Sequence, residues 1–589
     1  MNKLPEKEKR GNIVENNQTK PYDKKREFKK GEFRRPRVQR KNSAVPAVKS
    51  EQREKTGHEK PKREVRRTPV RIIPLGGLNE IGKNMTVIEC CNDMFIIDCG
   101  MAFPDAEMPG VDIVLPDFTY VEKNKEKLRG IVLTHGHEDH IGGLAYFLKK
   151  INVPVYGTKL TLGLVEGKLR EHGLEGKVNL NVTAPRKTVK MGCMAVEFIR
   201  VNHSIPDAVG MAVHTPAGVI VHTGDFKIDV TPIAGSMIDI ARLGQLGNEG
   251  VLALLSDSTN VEQPGHSASE RKVGESFDKL FMGCDKRIII TTFASNVHRL
   301  QQIINVAAKY NRKVGITGRS MENVLHVASV LGYMDIPENV MVDIDKINKL
   351  PRNQTVIIST GSQGETMSAL YRMAFSEHKQ INVDAGDRVI ISASAIPGNE
   401  NMISRVIDEL FHKGAEVIYD RHTDLHVSGH ACQEEQKMML ALTKPKFFIP
   451  VHGEHRMLVK HAELGKLMGV APKNVVVAEN GKVIEITKKS IKCEETVQAG
   501  AILVDGSGVG EVGSVVLRDR HRLAEDGMVV IVLPYSTETH TLVSEPKIVT
   551  RGFIYVKEAE SMMEELKRVA LESVEACENQ HITDWTGIK

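Results

Sequence analysis

The run Thr134-His135-Gly136-His137-Glu138-Asp139-His140 puts His135, His137, Asp139 and His140 within six positions. Imidazole nitrogen and carboxylate oxygen suit Zn²⁺ or Mn²⁺, and no thiolate is present in the run. Residues two apart on an extended loop point to one side, so His135 and His137 can chelate one ion. Asp139 and His140 lie just past the turn and can face a second. A lone histidine is ordinarily a core or surface group, but four donors this close are hard to account for in that way. Further donors must come from elsewhere. His203 in VNHSIPDA follows a short strand, Asp225 in HTGDFK ends another, and His452 in IPVHGEH follows the apolar run 446–451. Taken singly each could cap a strand, His203 above all. Together they supply the second half of a dinuclear site, in which Asp225 can bridge two cations. Two ions ~3.5–4 Å apart generate hydroxide at neutral pH and clamp a displacement at phosphorus.

These donors need strands and turns to hold them. Short branched-residue runs bounded by Gly, Asn and Asp predict strands at 70–73, 85–89 and 94–98. The spacing predicts a strand at 131–134 running into the histidine loop, then a helix over 141–151. Strand–loop units follow at 219–225 and 251–257. From about 266 the texture changes to alternating strands and helices: 287–293 before a helix at 298–310, then 356–360 and 388–394, each before a turn. That alternation predicts a parallel α/β insert. The last part mixes a strand at 527–534 with an amphipathic helix at 560–577.

The chain has 589 residues, enough for several domains, and its 41% hydrophobic content can fill large cores. No apolar stretch approaches the ~18 residues of a membrane span. The charged N-terminus lacks the apolar core of a secretory signal. The eight cysteines contain no C-x-x-C, so neither a disulfide framework nor a cysteine zinc knuckle is expected. The expectation is a soluble, cytoplasmic protein without a membrane partner. The net charge of +5 hides an asymmetry: residues 1–70 hold 23 Lys and Arg against 10 Asp and Glu, a net +13, which leaves −8 for the remainder. Residues 1–69 read as a disordered basic extension, with Phe28 and Phe33 set among the basic residues of 24–41 as stacking partners for nucleic acid.

The H-x-H-x-D-H loop at His135–His140, with the later His203, Asp225 and His452, resembles the metallo-β-lactamase superfamily. That resemblance implies an αββα sandwich. One ion would take His135, His137 and His203; the other would take Asp139, His140 and His452, with Asp225 bridging. Asp98 in IIDCG matches the superfamily's first motif, where it orients ligands from behind. The long segment between Asp225 and His452 is similar to a β-CASP insert, with Asp257 in its acidic motif and further matches at 360–365 and 426–431. Phrases at 74–84, 103–117, 256–265, 292–302, 318–324, 392–400 and 505–510 resemble the ribonuclease J family more closely still. The implied organisation is a sandwich first part over 70–265, a β-CASP domain over 266–425, a sandwich second part over 426–490, and a linker with a small α/β C-terminal domain over 491–589. The family usually continues beyond ITDWTGIK, so that last domain is expected to be shortened.

The resemblance carries site residues with it. The segment His426, Val427, Ser428, Gly429 and His430 would grip phosphate beside the metals, where hydroxyl, imidazole and backbone N–H groups suit an anion. His430 would also donate a proton to the leaving 3′ oxygen or stabilise its charge. Phe293, Ala294 and Ser295, at a strand-to-helix turn, would line a terminal-nucleotide pocket. Asp139 and Asp225 would hold the ions and the reacting proton. Some members place a structural Ca²⁺ at positions matching Gly110, Asp112 and Asp505, although two carboxylates with carbonyls are a thin oxygen set. The implied activity is RNA hydrolysis with two Zn²⁺ per subunit (Mn²⁺ or Mg²⁺ as substitutes), 5′→3′ and internal, leaving 5′-phosphate and 3′-hydroxyl, in rRNA maturation and mRNA decay. The implied partners are 5′-monophosphorylated single-stranded RNA, further copies of the chain as a dimer or tetramer, and other members of an RNA-degradation complex. Phosphodiester chemistry alone does not separate RNA from DNA, and a noncatalytic RNA-binding subunit is the remaining alternative.

Overall fold

A computed structural model describes residues 68–582, apart from 106, 364, 366–367, 395–398, 420–423, 537, 540, 554–559 and 581. All but the last two residues of the expected basic extension at 1–69 lie outside the described residues, as does nearly all of the C-terminal ITDWTGIK.

Two sheets lie face to face. The first has eight strands, ordered Ile491–Thr496, Lys482–Ile486, Val70–Gly76, Met85–Cys90, Asp93–Ile97, Leu128–Val132, Val155–Gly157 and Leu180–Val182. The second has six, ordered Phe447–Val451, Val251–Asp257, Gly218–His222, Val209–Thr215, Met194–Arg200 and Thr188–Met191. Alternation along each strand fills the space between them: Ile72, Ile88, Phe95 and Val132 from one face meet Val196, Phe198, Met211, Leu255 and Ile449 from the other. The outer faces are covered by helices, Leu144–Lys150 and Lys159–Glu171 on one side, Ile240–Glu249 and Gln433–Thr443 on the other. This is the expected αββα sandwich.

A third sheet is wholly parallel, ordered Lys313–Thr317, Thr355–Ser359, Arg287–Thr291, Asp387–Ile391 and Glu416–Ile418. Its three inner strands are buried on both faces almost throughout, which is why they read as continuous branched runs. Val297–Lys309 and Arg319–Val330 cover one face; Ala369–Ala374 and Glu400–His412 cover the other. Near the C-terminus, Ala501–Asp505 pairs antiparallel with Ile113–Pro116, and Met528–Val532 pairs with Lys547–Arg551. The helix Glu560–Asn579 follows. Among the described residues no helix is long and apolar enough to cross a membrane.

Two local features position the site. The helix expected over 141–151 is broken into Glu138–Ile141 and Leu144–Lys150. Close approach is the reason. A Cβ on Gly143 would fall 2.5 Å from the Gly100 carbonyl oxygen, and one on Gly100 would fall 1.6 Å from that of Asp139. The glycines let the histidine loop press against the loop after Ile97. The second feature is the fully buried carboxylate of Glu435. It accepts from Ile228 N at 2.8 Å, Ser267 N and Oγ at 2.7 Å each, and Cys432 N at 2.9 Å.

Candidate metal centre

The donors all sit at strand ends along one edge of the sandwich. His135, His137, Asp139 and His140 follow the strand Leu128–Val132, and Asp225 follows Gly218–His222 through a tight turn at Gly224 (φ +58). His452 follows Phe447–Val451 in the left-handed region, φ +54. Non-glycine residues hold such a conformation only where their surroundings impose it; here His452 N donates to the Gly77 carbonyl at 3.1 Å.

The side chains converge in two groups. Donor atoms of His135, His137 and His203 lie within 4.8 Å of one another, as do those of Asp139, His140, Asp225 and His452. His137 Nδ1 is 3.0 Å from His135 Nε2 and 3.2 Å from His203 Nε2. In the second group, His140 Nε2 is 3.2 Å from Asp225 Oδ2 and 3.3 Å from Asp139 Oδ2, and His452 Nε2 is 3.3 Å from Asp139 Oδ2. The same Asp225 oxygen lies 3.7 Å from His135 Nε2 and 3.8 Å from His203 Nε2, so it borders both groups. A tetrahedral ion with bonds of ~2.0–2.1 Å holds its donors roughly 3.3 Å apart, close to these spacings. The donor set therefore fits borderline divalent metal.

Electrostatics agree with that fit. Burial pushes His135 and His203 well below the usual imidazole range and His137 to about 4, which leaves neutral rings with free lone pairs. The second group is opposite in sign. Burial alone would lower His140 and His452, but Asp225, with Asp139 beside it, overcomes this and drives His140 well up and His452 to about 10. Burial works against Asp139 and Asp225 as well, and the imidazoles His140 and His452 outweigh it, holding both carboxylates far below the usual range. The field of this group favours positive charge where its four donor atoms meet.

Three of the imidazoles, His140, His203 and His452, are fixed from behind, as metal-ligating histidines generally are. Asp98 accepts from Thr134 N and Oγ1 at 2.7 Å each and from His140 Nδ1 at 2.8 Å. His203 Nδ1 donates to the Gly429 carbonyl at 2.8 Å. His452 Nδ1 lies 2.8 Å from Thr259 Oγ1 and 3.4 Å from Asp257 Oδ1. Asn84 Nδ2 reaches Asp139 O at 3.1 Å and Oδ2 at 3.3 Å.

The segment 426–430 lies against this centre. A Cβ on Gly429 would fall 2.7 Å from the His203 ring, so only glycine fits. Ser428 Oγ accepts from Asn260 Nδ2 at 2.7 Å and His430 N at 3.1 Å. His430 Nδ1 donates to Asp257 Oδ2 at 2.8 Å, and its ring stacks on His452 with centroids 5.4 Å apart. Burial lowers the His430 imidazole, but the Asp257 carboxylate more than offsets this and leaves it raised. His426 Nδ1 accepts from Arg299 Nη1 at 3.0 Å, and burial with that guanidinium brings His426 down to about 3. Val427 is buried.

Phe293, Ala294 and Ser295 form a half-buried turn between the strand Arg287–Thr291 and the helix Val297–Lys309. Asn296 is the residue that caps this helix, its side chain accepting from Arg299 N at 3.1 Å. The Phe293 ring lies 6.2 Å from that of His426, so the two expected substrate segments face each other. Asp505 also comes to Gly110 and Asp112 from far along the sequence. Asp112 Oδ2 accepts from Gly506 N at 2.7 Å, and Asp505 pairs with the Arg520 guanidinium, which also donates to the Pro109 carbonyl at 3.2 Å.

Sequence reading missed several supporting residues. Arg299 is fully buried; it pairs with Glu270 at 2.8 Å and donates to Ser392 O at 2.8 Å. Nothing in a helical HRLQQ distinguishes it from a surface arginine. Asn84, Thr134, Thr259 and Asn260 sit inside or beside quoted phrases, but their targets come from other strands.

Comparison with known proteins gives consistent matches. Residues 78–281 match the family model described as metallo-beta-lactamase superfamily, and 285–410 match ribonuclease J, beta-CASP domain. Residues 414–478 match the Zn-dependent metallo-hydrolase RNA specificity domain, and 515–589 match the ribonuclease J C-terminal domain. The chain is 47% identical to ribonuclease J of Synechocystis sp. over 487 residues, 82% of this chain and 76% of that protein. It is 43% identical to ribonuclease J2 of Bacillus subtilis over 522 residues, 88% and 94% of the two chains. A solved structure of a protein of unknown function from Enterococcus faecalis V583 superposes with a TM-score of 0.50 at 16% identity, covering 71% of this chain and all of that one; it speaks to fold alone.

Proposed function

Because the chain belongs to the ribonuclease J family and is thereby a metal-dependent hydrolytic ribonuclease, we propose that it degrades RNA from the 5′ end and also cuts internally, with two Zn²⁺ held by the two donor groups. The observation that carries this reading is the single Asp225 oxygen bordering both groups. In this assignment His135, His137 and His203 hold one ion, Asp139, His140 and His452 the other, and Asp225 both. Family membership sets aside the DNA-nuclease and noncatalytic alternatives.

Bound divalent cations act as Lewis acids toward a phosphoryl oxygen and make water nucleophilic near neutral pH. The chain's own groups supply the rest. Asp139 and Asp225 stay ionised because His140, His452 and His135 surround them, so they would hold the cations and, as weak bases, could only pass a proton onward. His430, whose protonated form Asp257 favours, would hand its Nε2 proton to the departing 3′ oxygen. The products are then a 5′-phosphate and a 3′-hydroxyl. Ser428, Asn260 and the backbone around Gly429 hold the adjacent phosphate. The turn at Phe293–Ser295 faces His426 and forms the other wall for a terminal nucleotide, which gives a preference for 5′-monophosphate ends.

We place this activity in rRNA maturation and mRNA decay in the cytoplasm. All eight cysteines are free thiols, in keeping with a reducing compartment. Assembly as a dimer or tetramer is supported by apolar side chains exposed on the last part of the chain, among them Val515, Leu523 and Val532. The deciding experiment digests 5′-labelled and 3′-labelled monophosphorylated RNA in parallel. Immediate release of labelled mononucleotide from the 5′ end, with a shortening ladder from the 3′ label, establishes the direction. Internal fragments alone would leave only the endonuclease reading.

A further inference from the structure

The cysteines look scattered in sequence, and no pair has metal-site spacing, yet three of them meet. The sulfur atoms of Cys90, Cys91 and Cys193 all lie within 4.8 Å of one another, with Cys90 and Cys91 Sγ 3.9 Å apart. Two tight hairpins build the cluster, one from each sheet of the sandwich. Met85–Cys90 turns through Cys91 and Asn92 into Asp93–Ile97, and Thr188–Met191 turns through Gly192 and Cys193 into Met194–Arg200.

Such two-residue turns require positive φ and are usually made by Asn, Asp or Gly. Gly192 meets that need at φ +63, but Cys91 adopts φ +58 with a full side chain. A residue in that region is held there by its surroundings, and such positions gather at functional sites. The surroundings here are specific. The Asp93 carboxylate accepts from Cys193 N at 2.7 Å and from Arg129 Nε at 2.6 Å. A Cβ on Gly192 would fall 2.0 Å from the Asp93 carboxyl carbon, so the second hairpin can sit no closer. Cys193 Sγ donates to the Cys90 carbonyl at 3.1 Å. Asp93 is committed to these contacts, which leaves three sulfurs as the donor set. Cys90 is buried while Cys91 and Cys193 are exposed, so an ion can arrive from solvent.

We propose that Cys90, Cys91 and Cys193 form a second metal site, selective for a thiophilic cation such as Zn²⁺ or Cu⁺, which staples the two sheets together. Soft thiolates select such ions, whereas Mg²⁺, Mn²⁺ and Ca²⁺ prefer oxygen. The site is separate from the histidine centre. The strand Asp93–Ile97 runs from one to the other, and ~3.3 Å per residue puts Asp98 roughly 16 Å away. Three sulfurs satisfy trigonal Cu⁺, and Zn²⁺ would complete its four with solvent. Loading exchanges the thiol protons for the ion. Because thiols must shed their protons to bind, loading strengthens as pH rises.

The test uses the full-length enzyme with its catalytic metal bound and its thiols kept reduced by a phosphine. It is titrated with Cd²⁺, a spectroscopic substitute for Zn²⁺, and in a separate anaerobic arm with Cu⁺. A near-ultraviolet sulfur-to-metal charge-transfer band saturating at one equivalent per chain is expected, and the arm in which it appears identifies the ion class. The histidine centre has no sulfur donor and gives no such band. In the Cys91→Ser/Cys193→Ser variant, which changes only exposed side chains, the band and the metal-dependent rise in melting temperature should vanish while RNA hydrolysis is unchanged. No band in either arm, or a band that survives in the variant, would overturn the proposal.

Discussion

His430 Nδ1 donates to Asp257 Oδ2 at 2.8 Å, and that carboxylate raises the imidazole despite its burial. The hydrogen bond ties up Nδ1 and leaves Nε2 as the free ring nitrogen, while the carboxylate favours the protonated ring. His430→Ala should lower kcat by about 10²–10⁴-fold, the usual worth of a general acid, with little change in bound metal. Asp257→Asn should cost about 10–100-fold, and it should move the alkaline limb of the pH–rate profile to lower pH, because the proton on His430 is then lost more easily. The double variant should be no worse than His430→Ala alone. Additive losses would separate the two residues' roles.

Asp225 is the carboxylate shared by both donor groups. Asp225→Asn keeps its size but removes its charge. We expect metal content to fall toward one ion per chain or fewer and RNA turnover to drop by at least about 10³-fold. Elemental analysis alongside a single-turnover assay checks both, and far-ultraviolet circular dichroism should remain unchanged.

Ser428 and Ser295 lie on the two segments that face each other beside the centre. Removing one hydroxyl that binds an anionic phosphate should weaken recognition by about 1.5–3 kcal/mol. The ratio of kcat/KM for 5′-monophosphorylated over 5′-hydroxyl RNA should therefore fall about tenfold or more in Ser428→Ala. Internal cleavage of a circular RNA should be little affected. An unchanged ratio in both Ser428→Ala and Ser295→Ala would place the 5′-phosphate elsewhere.

Arg299 is fully buried and pairs with Glu270 at 2.8 Å. Arg299→Met leaves that carboxylate with no partner of opposite charge on the guanidinium side. Breaking one half of a buried pair typically costs about 3–5 kcal/mol. The melting temperature should drop, and because Arg299 also holds His426, activity should fall even below the transition. Glu270→Gln/Arg299→Met together should recover part of the stability.

His461 is fully buried, with its Nδ1 2.9 Å from Ser258 Oγ and its ring edge-on to Phe448. Burial lowers it from 6.5 to about 3. The folded chain therefore keeps it neutral while the unfolded chain protonates it below pH 6.5. Its contribution is fully present above pH 6.5 and is lost progressively as pH falls toward 3, with a slope of at most about 1.4 kcal/mol per pH unit. His461→Gln should unfold less steeply with acid across that window, which a pH series of denaturant titrations would reveal.

How legible this centre was depended on distance along the chain. His135 to His140 could be read directly, because one loop delivers four donors and few other roles explain that density. His203, Asp225 and His452 were legible only as a set, each being a plausible strand end by itself. The three inner strands of the parallel sheet announced themselves because burial on both faces leaves no polar alternation, whereas the edge strands Lys313–Thr317 and Glu416–Ile418 gave no such signal. The break at Gly142–Gly143 did not, since helical spacing runs through it and only the tertiary bonds from Gly143 N to the Cys99 carbonyl and from Asn84 N to the Asp139 carbonyl interrupt the helical ladder. Arg299 with Glu270, and Cys193 with Cys90, are tertiary pairings of residues 29 and 103 positions apart. No local periodicity encodes them.

The Glu435 carboxylate joins backbone at Ile228, Ser267 and Cys432. The chain departs for the parallel sheet just after Ser267 and is back at Cys432, so its outgoing and returning ends are moored to one buried group. A module attached in this way has its two ends side by side. It can be lengthened, shortened or exchanged in evolution without asking the sandwich to change shape, as a drawer can be replaced when only its runners must match. A layer attached in this way could thus be varied over an unaltered sandwich, with Glu435 as its fixed point of attachment.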